Sequence, residues 1–425
     1  EISKQSLHDV WEMEMELLPI LIDTRRRGIR VDEEKASVLK KEFVAKEKTI
    51  LHDIKKQTTL DVDIWAARSV AQVFDRIGVE YPRTAKTDEP SFTQNWLVNC
   101  DNPIAQLIRS AREINKFHST FIDSIQRYVH KGRIHSEINQ LRSDQGGTVS
   151  GRLSYSNPNL QQIPARNKEF GDKIRSLFLP EEGRQWGSFD YSQQEPRLVA
   201  HYAASVNDNF EGAAEFIEAY KNESADFHQI VADMAGITRT QAKTINLGLF
   251  YGMGKAKLGK ELGITKDRAE ALLRQYGERV PFVKRLTTEV SSSASKFGFI
   301  RTIGGRKCRF DMWEPATFGM NKAMQYEEAK AVYGNNIRRA FTYKALNRLI
   351  QGSAADQTKQ AMIDCYKAGF KPLLQIHDEL CFSIDKESDI INVKNLMENA
   401  IDTLKVPSKV DIALGKSWGE AKENN

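Results

Sequence analysis

Two apolar runs near the end of the chain, at 373–376 and 380–384, are separated only by His377, Asp378 and Glu379. So short a polar break between two strand-like runs leaves room only for a tight turn, so the segment predicts an antiparallel hairpin. The tip of this hairpin would carry Asp378 and present its carboxylate to solvent. A chain with this feature is expected to contain at least one antiparallel pair of strands.

A second apolar strand ends at Asp190, and the residues that follow, including Leu198, Val199 and Tyr202, take up helical spacing. Asp190 is therefore predicted to lie where a strand meets a helix. Mg²⁺ prefers oxygen ligands and is usually held by one or two carboxylates together with substrate phosphates. If the two strands are neighbours, Asp190 and Asp378 could share a pair of ions about 3.5–4 Å apart.

A purely structural interpretation of the same residues stays open at this point. An aspartate in a hairpin turn or before a helix is ordinary turn or capping chemistry. Ser192 and Glu195 also fit a capping box, in which hydroxyl and carboxylate bond the free amides at the start of a helix. That interpretation would explain Glu195 without any substrate.

The segment 239–251 places Arg239, Lys243, Leu247 and Tyr251 four residues apart. On a helix, each of these side chains is displaced only about 40° from the previous one, so one slowly turning face carries all four. Two cations followed by an apolar and an aromatic residue suit a nucleoside triphosphate, with its phosphates at one end and its base at the other. A solvated cation pair beside core-facing Leu247 and Tyr251 is the alternative.

Composition narrows the class of protein without identifying it. The chain has 425 residues and 28% charged residues, with a net charge of +5, which permits a polyanionic partner. Four widely separated cysteines argue against a disulfide framework. Without an apolar run of about 18 residues, no membrane span is predicted, and we expect a protein of a reducing intracellular compartment.

Five ordered segments of this sequence resemble the motifs of the DNA polymerase I family, the A family of DNA polymerases. DYSQQEPR resembles its first catalytic motif and QIHDEL its second. RTQAKTINLGLFYG is similar to its fingers helix, and GTVSGRLSYSNPNLQQIP is similar to its primer-contacting segment. NRLIQGSAAD is similar to its template-contacting helix. The amino-acid sequence of the last segment is similar to that of phage-type members.

The resemblance implies an α+β fold, a right-hand polymerase with an antiparallel palm sheet, helical fingers and a helical thumb. The implied domains are an entry segment at 1–29 that packs on the palm, a thumb at 30–131, a first part of the palm at 132–205, fingers at 206–339 and a second part of the palm at 340–425. Because the segment that resembles the family starts near the beginning of the chain, we expect no proofreading domain in it.

The resemblance also implies the roles of individual residues. Asp190 and Asp378 would bind two Mg²⁺ ions, with Tyr191 as an additional ligand, and Lys243 would act with them in catalysis. The nucleotide would contact Arg239, Lys243, Leu247, Tyr251, His228, Gln193 and Glu195, with Glu195 excluding ribonucleotides. The DNA would contact Arg152, Asn347, Gln351, His377 and Glu379.

The implied function is template-directed addition of deoxynucleotides to a primer 3′ end. The implied partners are a DNA primer-template duplex and deoxynucleoside triphosphates, and a monomer is expected, located with the nucleic acid of a bacterium or phage-infected cell, with an organelle not excluded. Two alternatives remain: a single-subunit RNA polymerase, against which Glu195 argues, and a catalytically inactive primer-template binding protein, against which the joint presence of Asp190, Lys243 and Asp378 argues.

Three positions depart from the family pattern. Leu247 stands where an aromatic residue is usual, and Tyr343 where many relatives carry Arg. Pro196 follows Glu195 where Leu is usual, and proline restricts the backbone of the residue before it. Sugar selection at Leu247 and Glu195 therefore does not follow from the resemblance alone.

Overall fold

The protein was studied as a computed structural model. It describes residues 1–144, 146–164, 167, 169–206, 217–218, 220, 226–250, 255–317 and 322–423, and of residues 206, 247, 249, 250 and 423 only the backbone.

Helices dominate the described residues. A π-helical turn at Phe117–Ile122 continues the fifth helix into the sixth, and 3₁₀ turns occur at Leu160–Gln162, Thr342–Lys344 and Trp418–Glu420. The α-helices are α1 (His8–Arg27), α2 (Glu33–Thr58), α3 (Ala67–Ile77), α4 (Gln94–Asn99), α5 (Pro103–Lys116), α6 (Asp123–Tyr128), α7 (Gly171–Arg175), α8 (Gln194–Val206), α9 (Phe227–Ala235), α10 (Arg239–Phe250), α11 (Lys255–Leu262), α12 (Lys266–Arg279), α13 (Pro281–Phe297), α14 (Tyr326–Tyr333), α15 (Ala345–Lys367) and α16 (Glu387–Glu398).

The strands of the described residues pair only antiparallel, so the predicted α+β class with an antiparallel sheet is confirmed. They are β1 (Ile29–Val31), β2 (Val129–His130), β3 (Arg133–Ile134), β4 (Glu137–Asn139), β5 (Ser154–Ser156), β6 (Phe178–Leu179), β7 (Gln185–Tyr191), β8 (Phe299–Arg301), β9 (Lys307–Arg309), β10 (Trp313–Pro315), β11 (Ile337–Arg339), β12 (Pro372–Ile376), β13 (Glu379–Ile384), β14 (Val410–Gly415) and β15 (Lys422–Glu423).

The largest sheet has five strands in the order β12-β13-β7-β14-β15. A four-stranded sheet has the order β2-β3-β1-β6, and three further pairs are two-stranded. The segment 133–139 alternates in sequence as a single strand would, but it forms β3 and β4, which lie in two different sheets.

Apolar side chains cover both faces of the five-stranded sheet, which explains why its central strands have nearly continuous apolar sequences. On one face, Trp186 of β7 stacks on Trp418, with ring centroids 6.1 Å apart. On the other, Phe189 meets Phe382 edge to face at 5.7 Å. Because side chains alternate along a strand, Asp190 lies on the face of Trp186.

Helix α15 is buried along most of its length, and four charged side chains connect it to the rest of the molecule. Asp356 and Lys359 of α15, Arg306 of the β8–β9 hairpin and Glu14 of α1 form what we call the buried ion cluster. Lys359 Nζ lies 2.7 Å from Glu14 Oε1, and Arg306 Nε lies 2.9 Å from Asp356 Oδ1. Arg306 also bonds Glu14, so each charge in the cluster has an opposite partner.

Two other helical cores complete the fold. One joins α8, α9, α10, α12 and α13 to α15, and the other lies among α2, α3, α4 and α5. Within the described residues, no helix combines the length and the apolar character that crossing a lipid bilayer requires.

Candidate active site

The sheet brings the two predicted metal-binding aspartates together. Strands β7 and β13 are neighbours, and Asp190 lies directly opposite Glu379, the residue after Asp378. The backbone N–H of Tyr191 donates to the Asp378 carbonyl at 3.2 Å. The condition that the two strands are neighbours is therefore met, and both aspartates lie at the same end of the sheet.

The hairpin tip differs from its predicted form in how much of it faces solvent. His377 takes the exposed position with a left-handed φ of 56°, and its carbonyl accepts from the Gln375 side chain at 2.5 Å. Asp378 is only partly exposed. Burial raises the pKa of Asp378, the nearby Arg152 opposes the rise and Glu379 adds to it. A nearby cation would stabilise the ionised form of the Asp378 carboxyl group.

The donor set fits a divalent ion that completes its coordination with substrate. Among the described residues, no group of three or more His, Cys, Asp and Glu side chains is arranged to hold a metal on its own. Asp190 and Asp378 offer oxygen ligands from adjacent strands, and hard cations accept such ligands alongside water and phosphate oxygens. The site therefore suits an ion that arrives with a phosphate-bearing substrate, and it does not resemble a closed structural metal site.

Glu195 makes a different contact from the one that a capping box predicts. Arg152 Nη2 donates to Glu195 Oε1 at 2.5 Å, while the Ser192 backbone amide bonds the carbonyl of Lys409 at 2.8 Å. Burial raises the pKa of Glu195; the Arg152 guanidinium opposes the rise, and the charge of Asp378 adds to it. The capping-box interpretation is wrong, and Glu195 instead joins Arg152 to the surroundings of Asp378.

The predicted phosphate-facing cations lie at the start of α10 and on the helix before it. Arg239 bonds Asp226 through Nε at 2.8 Å, and the other oxygen of Asp226 caps α9 by accepting from the His228 amide. Burial lowers the pKa of His228; the charge of Asp226 opposes this, and the charges of Lys243 and Arg239 lower it further. Lys243 is exposed. His228, Arg239 and Lys243 thus form one group of nitrogen donors.

Three further residues, Leu247, Tyr251 and Gln193, are predicted to contact the nucleotide. Tyr251 lies outside the described residues, and Leu247 lies on α10 with only its backbone described. The side-chain oxygen of Gln193 accepts from the Phe227 amide at 2.8 Å and from the Tyr220 hydroxyl at 3.2 Å. Gln193 therefore links the turn before α8 to the start of α9.

The residues predicted to contact DNA lie on three elements, which are the segment before β5, helix α15 and the β12–β13 hairpin. Asn347 and Gln351 are partly exposed one turn apart on α15, and His377 and Glu379 flank Asp378. The segment that carries Arg152 reaches the same place, because Gln161 Nε2 bonds the side-chain oxygen of Gln375 at 3.2 Å. Gln194 Nε2 also bonds the Ala354 carbonyl of α15 at 3.3 Å, so the structure connects four of the five motif segments by direct contacts.

Sequence reasoning missed three polar residues at this site. Gln375 is buried in the apolar strand β12, and Gln194 is buried against α15, where its Nε2 bonds the Thr358 hydroxyl at 3.1 Å. Asp411 of β14 lies opposite Asp190 on the side away from Glu379. A polar residue inside an apolar strand was the available signal for Gln375 and Asp411. For Gln194 the signal was that it stands where the family that the sequence resembles usually has an apolar residue.

Two carboxylates suited to a divalent ion, together with a group of cations suited to a triphosphate, are the features of a nucleotidyltransferase. Residues 33–420 match the model of DNA polymerase family A. The chain is 36% identical, over an alignment of 471 residues, to a DNA-directed DNA polymerase of Pseudomonas phage M6, covering 99% of this chain and 67% of that relative.

Bacterial relatives agree with this match. The thermostable DNA polymerase I of Thermus filiformis is 31% identical over 100% of this chain and 50% of its own length. The POL domain of Pol1 from M. smegmatis, solved in complex with DNA primer-template and dNTP, superposes with a TM-score of 0.77 at 29% identity, covering 96% of this chain and 70% of that one.

The chain belongs to DNA polymerase family A, and it is a template-directed DNA polymerase. The resemblance carried by the five motifs is confirmed, and neither alternative function is favoured by these relatives. Members of this family use divalent metal ions, in agreement with the donor set at the end of the sheet.

Proposed function

We propose that Asp190 and Asp378 hold two Mg²⁺ ions, with the Tyr191 carbonyl as a further ligand. The ions, when bound, would activate the primer 3′ hydroxyl and neutralise charge on the phosphates. The observation that carries this proposal is the adjacency of the two aspartates on β7 and β13. The raised pKa of Asp378, caused by burial, supports it because a bound cation would stabilise the charged carboxylate there.

The nitrogen donors near α10 would receive the triphosphate. Arg239 and Lys243 supply charge to the phosphates, His228 supplies a further contact, and Lys243 delivers a proton or positive charge to the departing pyrophosphate. Arg239 would exchange its bond with Asp226 for a phosphate oxygen. Leu247, Tyr251 and Gln193 would lie along the base and sugar, and Glu195 would crowd the sugar 2′ position and so exclude ribonucleotides.

The remaining residues would hold the duplex. Arg152, Asn347, Gln351, His377 and Glu379 would line the primer and template near the site of addition. Contacts to backbone phosphates make duplex affinity fall as salt rises, because bound counterions are released. We infer that the protein works as a monomer with the nucleic acid of a bacterium or phage-infected cell.

The proposed arrangement of the whole chain is a right hand. The five-stranded sheet would be the palm, formed by 132–205 and 340–425, with fingers at 206–339, a thumb at 30–131 and an entry segment at 1–29. Support comes from the separate helical cores, since one of them joins α9, α10, α12 and α13 and another joins α2, α3, α4 and α5.

The test is extension of a labelled primer on a DNA template with Mg²⁺, comparing wild type with Asp378→Asn. The neutral amide is a poor ligand, so we expect the rate to fall about a thousandfold or more. Asp385→Asn, which changes an exposed aspartate just beyond the other end of β13, is the matched control and should extend at the wild-type rate.

Two outcomes would contradict the proposal. Wild-type extension by Asp378→Asn would remove this residue from the metal site. Equal use of ribonucleotides and deoxynucleotides by the wild-type protein would contradict the role assigned to Glu195.

A further inference from the structure

The carboxylate of Glu195 is held by a single side chain. Among the described residues, its one hydrogen bond comes from Arg152, at 2.5 Å. The side chains of Arg152 and Glu195 are only 26% and 20% exposed. A charge-assisted hydrogen bond that is shielded from water is about twice as strong as a neutral one. The position of the Glu195 carboxylate therefore depends on Arg152.

The backbone under Glu195 is already fixed, so the remaining freedom is in its side chain. Gln194 is tied to α15 by bonds to Ala354, Gln357 and Thr358. Glu195 lies in the first turn of α8, where the Arg197 amide donates to the Gln193 carbonyl at 3.0 Å. A glutamate side chain on a fixed backbone still has several rotamers, and the bond to Arg152 selects one of them.

The backbone at Arg152 is itself held in place by two contacts. Its carbonyl accepts from the Thr148 hydroxyl at 2.8 Å. Gly151 packs against the guanidinium of Arg306, so closely that a Cβ at this position would come within 2.7 Å of Arg306 Nε. Arg306 is fixed in turn by the buried ion cluster. The backbone of Arg152 is therefore held in place, and its side chain holds Glu195 by a hydrogen bond.

We propose that Arg152 determines the sugar selectivity of this polymerase by holding the Glu195 carboxylate in the rotamer that faces the nucleotide sugar. The inference rests on the proposed role of Glu195 as the filter against ribonucleotides. In this role Arg152 is a positioning residue, since it acts on the sugar through Glu195. Without the hydrogen bond from Arg152, Glu195 would turn to other rotamers and leave room for a 2′ hydroxyl.

The test is single-nucleotide primer extension with each deoxynucleotide and its ribonucleotide, comparing the ratio of the two kcat/KM values. We expect Arg152→Met to lower this ratio about tenfold or more, since one ionic hydrogen bond is lost. Arg152→Lys keeps the charge without the planar fork and should give an intermediate ratio. The ratio is the readout because loss of a primer contact would slow both nucleotides together.

A double variant separates action through Glu195 from a general effect. Glu195→Ala should lower the ratio. Adding Arg152→Met to Glu195→Ala should lower it no further, because the carboxylate that Arg152 holds is already absent. Arg133→Met is the matched control: Arg133 bonds Glu181 at 2.6 Å with similar exposure, away from the site, and this variant should keep the wild-type ratio.

These variants distinguish a failure of the inference about Arg152 from a failure of the proposed role of Glu195. If Glu195→Ala lowers the ratio and neither Arg152→Met nor Arg152→Lys does, the inference is overturned and the filter role of Glu195 stands. An additive fall in the double variant also overturns it, since Arg152 then acts independently. If Glu195→Ala leaves the ratio unchanged, the filter role fails and the inference fails with it.

Discussion

At the scale of single residues, His201 of α8 is an ionisable group that must stay neutral. It is buried, and its Nδ1 accepts from the backbone amide of Lys405 at 3.2 Å. Burial lowers the pKa of His201 to about 4, and the charge of Lys405 contributes to the decrease. Protonation would remove the acceptor and leave a buried charge beside a cation.

We therefore predict a loss of stability in mild acid that depends on His201. Above about pH 6.5 the ring is neutral in both folded and unfolded chains, so its full contribution is present. As the pH falls from 6.5 towards 4, only the unfolded chain takes up the proton, and the free energy of unfolding drops by up to about 3 kcal/mol.

Urea unfolding at pH 7 and pH 4.5 measures this loss. His201→Gln, which retains an acceptor but does not titrate, should show a smaller decrease between the two pH values than wild type. His52→Gln changes an exposed histidine and should behave as wild type does. An equal decrease in His201→Gln and wild type would show that other groups cause the acid sensitivity.

At the scale of elements, β7 determines the geometry of the site because it lies between β13 and β14 and carries Asp190. Gly187 of this strand has no space for a side chain. A Cβ there would come within 2.6 Å of Ile384 Cγ1 and 2.9 Å of a ring carbon of Phe189. The glycine leaves room for the side chains of Ile384 and Phe189 to pack on this face of the sheet.

Gly187→Ala should therefore destabilise the protein by about 1–3 kcal/mol, because the added methyl forces Ile384 to move. Primer extension should also slow, since β7 and β13 carry the two aspartates. Gly277→Ala, on helix α12 with its nearest neighbour at 3.5 Å, is the matched substitution and should be neutral or stabilising. Thermal unfolding of the two variants compares them directly, and an unchanged Tm for Gly187→Ala would contradict the steric argument.

The sequence predicted the elements that carry their own signals. The hairpin at 372–384, the strand ending at Asp190 and the helix beginning at Arg239 follow from apolar runs and spacing. The strand that carries Asp411 was not predicted to pair with β7, because that pairing depends on register between distant parts of the chain. The bond between Arg152 and Glu195 could not be predicted for the same reason, and local spacing indicated a capping box instead.

At the scale of the whole molecule, the buried ion cluster connects parts of the chain that are far apart in sequence. It joins α1 to α15 and to the β8–β9 hairpin, and Gln140 adds a bond from its side chain to the Glu14 carbonyl at 2.7 Å. Burial lowers the pKa of Lys359 to about 8; Arg306 contributes to the decrease and Glu14 opposes it. Removing one charge from such a group leaves the others unbalanced.

Glu14→Gln should lower the free energy of unfolding by about 3–5 kcal/mol, the usual loss when a buried charge loses its partner. Glu16→Gln, on the same helix, removes an exposed partner of Lys367 and should cost less than about 1 kcal/mol. Urea unfolding of both variants at pH 7 gives the comparison. Similar losses for the two would mean that the cluster contributes no more than a surface ion pair.

The same cluster has a consequence for biosynthesis. Glu14 and Lys359 are separated by 345 residues, and a ribosome that adds about 5–20 residues per second needs roughly 20–70 s to make that stretch. During this time α1 has left the ribosome without the cations that its glutamate will bind. The charge pairing of α1 is therefore completed only after α15 has been translated, and a polypeptide released earlier would keep α1 accessible to proteases.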